Sequence, residues 1–266
     1  MHPLQFYFRC GPNGNGRKWG NMLRIGTGTA KGRRLKTVTG AMRPTGSRVR
    51  GSLFDILSVR IVDGTVVDLC AGSGSLGIEA LSRGARCCLF IDSDRRAVRM
   101  IRDNLVRCEF VGQPGQPGSS DQPGDPVRSG PHSGQFPHDG RLSLEPNPSN
   151  EKAKVWMTDA ILGLRQLADH ACAVDIILAD PPYGDPVAQE IVRTVGERNV
   201  LAPGGLLVLE HHGDDPLETS PGLDLTRRRN IGDTALSFFQ PVPAATVNRS
   251  EILPTVLPPP PSRTRR

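Results

Sequence analysis

Between residues 65 and 210, short apolar runs alternate with amphipathic stretches, and few folds accommodate that rhythm. Residues 65–70 (TVVDLC), 87–91 (CCLFI), 154–157 (KVWM), 174–179 (VDIILA) and 205–210 (GLLVLE) read as strands. Most lack the apolar–polar alternation of a half-exposed strand, so both their faces are expected to be covered. Residues 75–83, 95–106, 160–168 and 186–198 space their apolar side chains three and four apart, as helices with one buried stripe do. Strand–helix alternation of this kind builds a parallel sheet with helices on both faces. Residues 223–229 and 234–240 break the rhythm, because only a short Asn-Ile-Gly-Asp turn lies between them. They are expected to close as an antiparallel hairpin at the edge of a mostly parallel, seven-stranded α/β sheet.

The flanks are different in kind. Residues 1–60 hold twelve Lys/Arg against the single acid Asp55, while the rest of the chain is mildly acidic. A basic extension on such a body suits a polyanionic partner. Within it, residues 22–25 and 35–38 suggest a small hairpin around a Gly/Lys/Arg turn, and Ser47 is expected to cap a helix with Val49, Leu53, Phe54 and Leu57 on one face. Residues 111–150 contain 15 Gly or Pro and six Ser, too little apolar area to offset the entropy of ordering, and read as a disordered insertion. Residues 1–21 and the Pro-rich 241–266 read as free tails, which leaves a basic extension (22–60) and one domain (61–240). No apolar run approaches the roughly 20 residues that span a bilayer, and no signal peptide is expected. The cysteines (Cys10, Cys70, Cys87, Cys88, Cys108, Cys172) lack zinc spacing, so no metal is expected and they read as reduced cytosolic thiols. Cytoplasmic localisation follows.

Chemistry enters at residues 67–77, VDLCAGSGSLG, a G-x-G-x-x-G between a strand and a helix. In a dinucleotide site such a loop turns backbone N–H groups toward a pyrophosphate. Asp68 would there add repulsion. Its charge suits a ligand with a sulfonium and an ammonium, such as S-adenosylmethionine (SAM), and the glycines would let the backbone approach that ligand closely. Asp92, at the end of the next strand, fits ribose hydroxyls in either kind of site. Taken alone, the loop leaves both ligands open.

Asp180-Pro181-Pro182-Tyr183 follows the strand VDIILA directly, which turns it toward the same crevice as the glycine loop. An exocyclic amine on a base is a poor nucleophile because its lone pair is delocalised into the ring. The Asp180 carboxylate and a backbone carbonyl freed by the following proline, Pro181, can each accept one of its N–H bonds. That aims the lone pair at a methyl donor and stabilises the charge that develops. Tyr183 can stack on the extruded base. A bare Pro-rich loop is the plain alternative.

With these stretches in hand, the sequence resembles the bacterial 16S ribosomal RNA guanine-N2 methyltransferase family (the RsmD type), Rossmann-like class I SAM enzymes. The matching segments are RIGTGTAKGRRL (24–35), RPTGSRVRGSLFDIL (43–57), DLCAGSGSLGIEALSRGA (68–85), DPPY (180–183) and GDTALSFF (232–239). The resemblance implies that Asp68, Ala71, Gly72 and Gly74 line the methionine end of SAM and Asp92 its ribose. Asp159 and Ala160 would meet the adenine, and Asp180 to Tyr183 would hold the target guanine. It implies RNA contact through Arg43, Arg48 and Arg50, joined here by Lys31, Arg33 and Arg34. The implied partner is 16S rRNA, within an assembled or assembling small subunit, acted on by a monomer. Two departures stand out: Gly51 occupies a position where the family usually has glutamate, and the 111–150 insertion is additional.

Three other readings fit parts of the sequence: an adenine-N6 DNA methyltransferase, a non-catalytic RNA-binding assembly factor, and a Rossmann dehydrogenase. No segment suits a DNA target-recognition domain, intact Asp180 argues against the second, and Asp68 with D-P-P-Y argues against the third. His211 and His212 read as exposed strand-end residues, and Cys87-Cys88 as strand packing.

Overall fold

The computed structural model describes residues 23–37, 46–111, 152–215 and 217–243. A helix α1 (Ser47–Leu57) and a single 3-10 turn lead into strand β1 (Thr65–Leu69). Then follow α2 (Ser75–Ser82), β2 (Cys87–Asp92), α3 (Arg95–Arg107), β3 (Ala153–Met157), α4 (Ala160–Asp169) and β4 (Val174–Ala179). The chain continues through α5 (Val187–Arg198), β5 (Leu201–His212), β6 (Leu223–Ile231) and β7 (Thr234–Pro241). One seven-stranded sheet has the order β3-β2-β1-β4-β5-β7-β6. The first five are parallel, and β7 runs antiparallel between β5 and β6.

The pleat sorts the core into two layers. Val66, Phe90, Ile176 and Leu178 face α1, α2 and α3 on one side, packing with Leu53, Phe54, Ile78, Ile101 and Leu105. Val67, Leu69, Leu89 and Ile177 face α4 and α5 on the other, with Leu164, Leu167, Ile191 and Val195. Double coverage is why β1 is buried at every position. The strand order reverses between β1 and β4, so a crevice opens beyond their carboxyl ends.

The N-terminal extension is welded to this domain. Its hairpin reduces to one antiparallel bridge, Arg24 to Arg34, of the region expected; Met22 and Val38 lie outside the described residues. Leu23, Ile25, Ala30 and Leu35 are buried in the core. Gly28 (φ +87°) passes so close to α2 that a Cβ there would lie 1.7 Å from the Ser82 carbonyl oxygen. Ser82 accepts the Thr29 N–H on that carbonyl (2.9 Å) and the Ala30 N–H on its hydroxyl (2.9 Å). Glu79, 1% exposed, accepts N–H bonds from Gly26 (2.7 Å) and Thr27 (3.1 Å).

Two local expectations need correction. Gly46 is the cap of α1 and Ser47 its first helical residue, without a side-chain cap bond. Strand β5 starts at Leu201, not 205, because the Ala-Pro-Gly-Gly stretch is carried as a bulge: the register jumps from Val174↔Leu201 to Ile176↔Leu206. Gly51 sits in mid-helix, and a Cβ there would meet nothing within 4 Å. Gly51→Ala is therefore expected to stabilise the fold by roughly 0.5–1 kcal/mol, read as a raised denaturation midpoint at unchanged m-value.

Candidate active site

The glycine loop leaves β1 through Cys70 (φ 55°), Gly72 (φ 56°) and Gly74 (φ 75°), so every second residue of the turn is left-handed. Gly74 is the N-cap of α2 and offers no side chain. Asp68 substitutes for it from below: its Oδ2 accepts the Gly77 N–H at 2.8 Å, satisfying one of the helix's open donors. The third glycine of the motif allows that packing, since a Cβ at Gly77 would lie 2.4 Å from the Phe90 ring.

Asp68, expected to line the ligand, is 1% exposed and committed to the Gly77 N–H. Burial, with the negative charges of Asp180 and Asp92, holds its carboxyl well above the usual carboxylate range, against the opposing bond from Gly77. Asp92 ends β2; its Oδ2 accepts the Gly72 N–H and its Oδ1 the Asp94 N–H, both at 2.8 Å. Further lone pairs remain on each oxygen. Asp159 caps α4, accepting N–H bonds from Ile161 (2.9 Å) and Leu162 (3.2 Å), with Ala160 buried behind it.

Asp180 follows the last residue of β4, and Ala179 pairs with Leu69 on β1. Pro181 is buried, while Pro182 and Tyr183 are exposed. Cys70 reports how these groups converge: its thiol is pushed up to about 12 by burial, then by the charges of Asp92, Asp180, Asp68 and Asp159. The four aspartates expected from sequence to act together thus lie at or just beyond the carboxyl ends of four adjacent parallel strands, a field of negative charge at the crevice. Such a field favours a cationic ligand and opposes a pyrophosphate.

Tyr183 is pinned from two strands. Its hydroxyl lies 2.8 Å from Thr234 Oγ1 and donates to Glu210 Oε1 at 3.3 Å, and its ring meets His212 edge-on at 6.0 Å. Burial, opposed by the Thr234 bond and aided by the charges of Glu210 and Asp180, pushes the phenol up to about 12. The residue as a whole stays 45% exposed. Glu210 and Thr234 were not singled out in the sequence, because neither belongs to the D-P-P-Y run they support. His211, expected to be exposed, is 1% exposed; its ring nitrogens lie 2.9 Å from Ser237 Oγ and 2.8 Å from the His212 carbonyl. Cys87 and Cys88 are buried in β2, as strand packing requires.

The basic residues separate into classes. Lys31, Arg34 and Arg48 are exposed, and Arg43 lies outside the described residues. Arg33 is half-committed, ion-paired to Glu109 at 2.8 Å and donating to the Arg107 carbonyl. Arg50 is 6% exposed and donates to the Arg24 carbonyl at 2.8 Å, with Glu79 4.0 Å from its Nε. Its role is to latch the extension, not to meet solvent or a phosphate; burial lowers its pKa, against the pull of Glu79. Among the described residues no helix is long and apolar enough to cross a membrane.

Comparison with known proteins agrees with this geometry. A family model described as Conserved hypothetical protein 95 matches residues 23–119 and 143–240. Ribosomal RNA small subunit methyltransferase D of Haemophilus influenzae is 27% identical over 221 residues, which cover 82% of this chain and 93% of that protein. YlbH of Bacillus subtilis, provisionally named an rRNA methyltransferase, is 29% identical over 220 residues, 82% and 98% of the two chains. A solved Escherichia coli structure, yhhF, provisionally named a methyltransferase, superposes with a TM-score of 0.59 at 25% identity, covering 83% of this chain and 98% of its own. On the matched sequence, the shared sheet and the glycine loop beside D-P-P-Y, the chain belongs to the Conserved hypothetical protein 95 family of RsmD-type methyltransferases.

Proposed function

We propose that the protein methylates the exocyclic N2 amine of a guanine in 16S ribosomal RNA, with S-adenosyl-L-methionine as donor. The observation that carries this reading is the placement of Asp68, Asp92, Asp159 and Asp180 at or just beyond the carboxyl ends of four adjacent parallel strands, with an exposed, pinned Tyr183 three residues after Asp180. The residues fit the donor: the loop is negative where the ligand is cationic, and Gly72 leaves open space, with only the Cys70 carbonyl oxygen 3.9 Å from a Cβ built there. When bound, SAM supplies an electrophilic methyl on a sulfonium. Ala71, Gly72 and Gly74 shape the backbone cradle, Asp92 accepts from ribose hydroxyls, and Asp159 with Ala160 borders the adenine. Asp180 and the loop carbonyl beside Pro181 orient the amine, Pro182 shapes the loop, and Tyr183 stacks on the base. Relatives named as small-subunit rRNA methyltransferases support 16S rRNA, free or in an assembling subunit, as substrate. The protein acts as a monomer.

Two tests apply. Mapping N2-methylguanosine in 16S rRNA from cells with and without the gene should reveal one guanine that loses its mark; an unchanged map, or a lost N6-methyladenosine, refutes the assignment. Calorimetry should detect SAM binding and no NAD binding.

The same titration carries a pH prediction. A carboxyl with a raised folded pKa contributes stability in full below the unfolded value of about 3.9 and loses it as pH rises through the folded value. Asp68 is such a group. A cation bound beside it favours the ionised form, so SAM should expel a proton and bind more tightly as pH rises through that window. Heats that differ between buffers of unlike ionisation enthalpy would register the proton; identical heats would exclude it.

Tyr183→Phe keeps the ring and removes both hydroxyl ties. It is expected to lower kcat/KM for RNA roughly 5–10-fold, about 1–1.4 kcal/mol, through a less fixed stacking surface. Thr234→Val should produce a loss in the same direction, and wild-type kinetics in both would remove the pinning role.

A further inference from the structure

Helix α3 carries Arg95, Arg96, Arg99, Arg102 and Arg107 exposed on its outer side, while Ala97, Val98, Ile101, Asn104 and Leu105 are buried. Steps of four and three align Arg95, Arg99 and Arg102 along one face. Among the described residues, no carboxylate forms an ion pair with Arg95, Arg96, Arg99 or Arg102. Helix physics disfavours the pattern twice: like charges three and four apart repel, and the first turn, at the positive end of the macrodipole, has two arginines and no acid. The cap, Asp94, spends an oxygen on the Arg96 N–H at 2.8 Å.

Position gives the pattern a use. The helix opens beside Asp92, whose carboxylate holds the glycine loop, so Arg95 and Arg96 stand at the rim of the crevice. Farther along, the N-terminal extension docks on it. Lys36 pairs with Asp103 at 2.5 Å, neutralising the one acid on that face, and Arg33 donates to the Arg107 carbonyl at 2.5 Å. Buried Asn104 fixes the Lys36 backbone in both directions, donating to its carbonyl (3.0 Å) and accepting its N–H (2.8 Å). The same side-chain amide donates to the Ser73 carbonyl in the glycine loop at 2.8 Å.

We propose that the solvent face of α3 is a phosphate-contacting surface for the RNA, continuous with the extension, which tracks the strand from the crevice rim toward Lys31 and Arg34. The proposal rests on an RNA substrate. Its test uses the full chain and 16S rRNA transcribed in vitro. Wild-type affinity should fall steeply with salt. Arg99→Gln/Arg102→Gln and Arg95→Gln/Arg96→Gln should each shallow the log–log slope by roughly one to two, as one or two lost contacts require. RNA affinity should fall about tenfold at near-physiological salt, SAM affinity should hold, and melting temperature should hold or rise as repulsion is relieved. Arg165→Gln/Arg193→Gln, on α4 and α5, should leave the slope as it is. Unchanged slopes in both α3 variants against a steep wild type overturn the surface and leave the substrate intact. Flat, weak RNA binding by the wild type overturns the substrate and this surface together. Loss of binding to anionic phospholipid vesicles with RNA affinity retained would assign the face to lipid and overturn the proposal.

Discussion

Asp180→Ala is expected to lower the rate of methyl transfer at least a hundredfold, roughly 3 kcal/mol of transition-state stabilisation. The residue follows β4 directly, beside the end of β1 and three residues before Tyr183, and its negative charge adds to the raised pKa values of Asp68, Cys70 and Tyr183. An aromatic amine must give up ring conjugation to present its lone pair, and a carboxylate accepting one N–H favours that geometry as positive charge builds. Alanine removes both the acceptor and the charge. SAM affinity should change far less on the proposed reading, in which the β1 loop and Asp92 cradle the donor. Asp180→Asn keeps one acceptor without the charge and should fall between the two rates. Single-turnover methyl transfer at saturating donor measures this directly. If both variants matched wild type, the amine would have to be oriented by another group.

Glu79→Ala is the substitution with the largest expected effect on folding, a loss of about 3–5 kcal/mol. The carboxylate, 1% exposed, accepts the Gly26 and Thr27 N–H groups and the Arg83 Nε (2.8 Å), and it stands nearest the buried Arg50. Arg50 Nη1 already lacks a hydrogen-bond partner. Without Glu79 a buried guanidinium would face two unsatisfied amides and no counter-charge. At roughly 2–4 °C per kcal/mol for a domain of this size, the melting temperature should drop by about 10 °C. Amide exchange should accelerate at residues 24–35 ahead of the sheet. A melting temperature within 2 °C of wild type would mean that the extension is held by its apolar contacts alone.

The parallel core could be read from sequence because strands covered on both faces must be apolar at nearly every position, and Val66 to Leu69 has few other uses. The Asp180 loop was readable for a related reason: residues following a buried strand have one place to go. What failed depended on partners distant in sequence. Arg50 and Arg48 look alike as charges, and only Glu79, 29 residues farther on in another helix, makes one a latch while the other stays in solvent. Thr234 is 51 residues from the tyrosine it holds. The start of β5 was hidden by Pro203 and two glycines, which signal a turn but here form a bulge that the ladder resumes beyond.

The C-terminal hairpin also fixes an order of events during synthesis. Domains fold as the chain emerges, at about 5–20 residues per second. The glycine loop and the Asp92 carboxylate that holds it, within residues 68–92, can form early against β4. Strand β7 is made last of the seven yet inserts one place in from the edge, between β5 and β6. Until it arrives, one edge of β5 is an open row of backbone donors and acceptors, and Tyr183 lacks its Thr234 tie. A nascent chain halted near residue 222 would therefore have its glycine loop formed while the Tyr183 ring still lacked that anchor. The strand that completes the pairing of β5 is thus also the one that sets the Tyr183 ring.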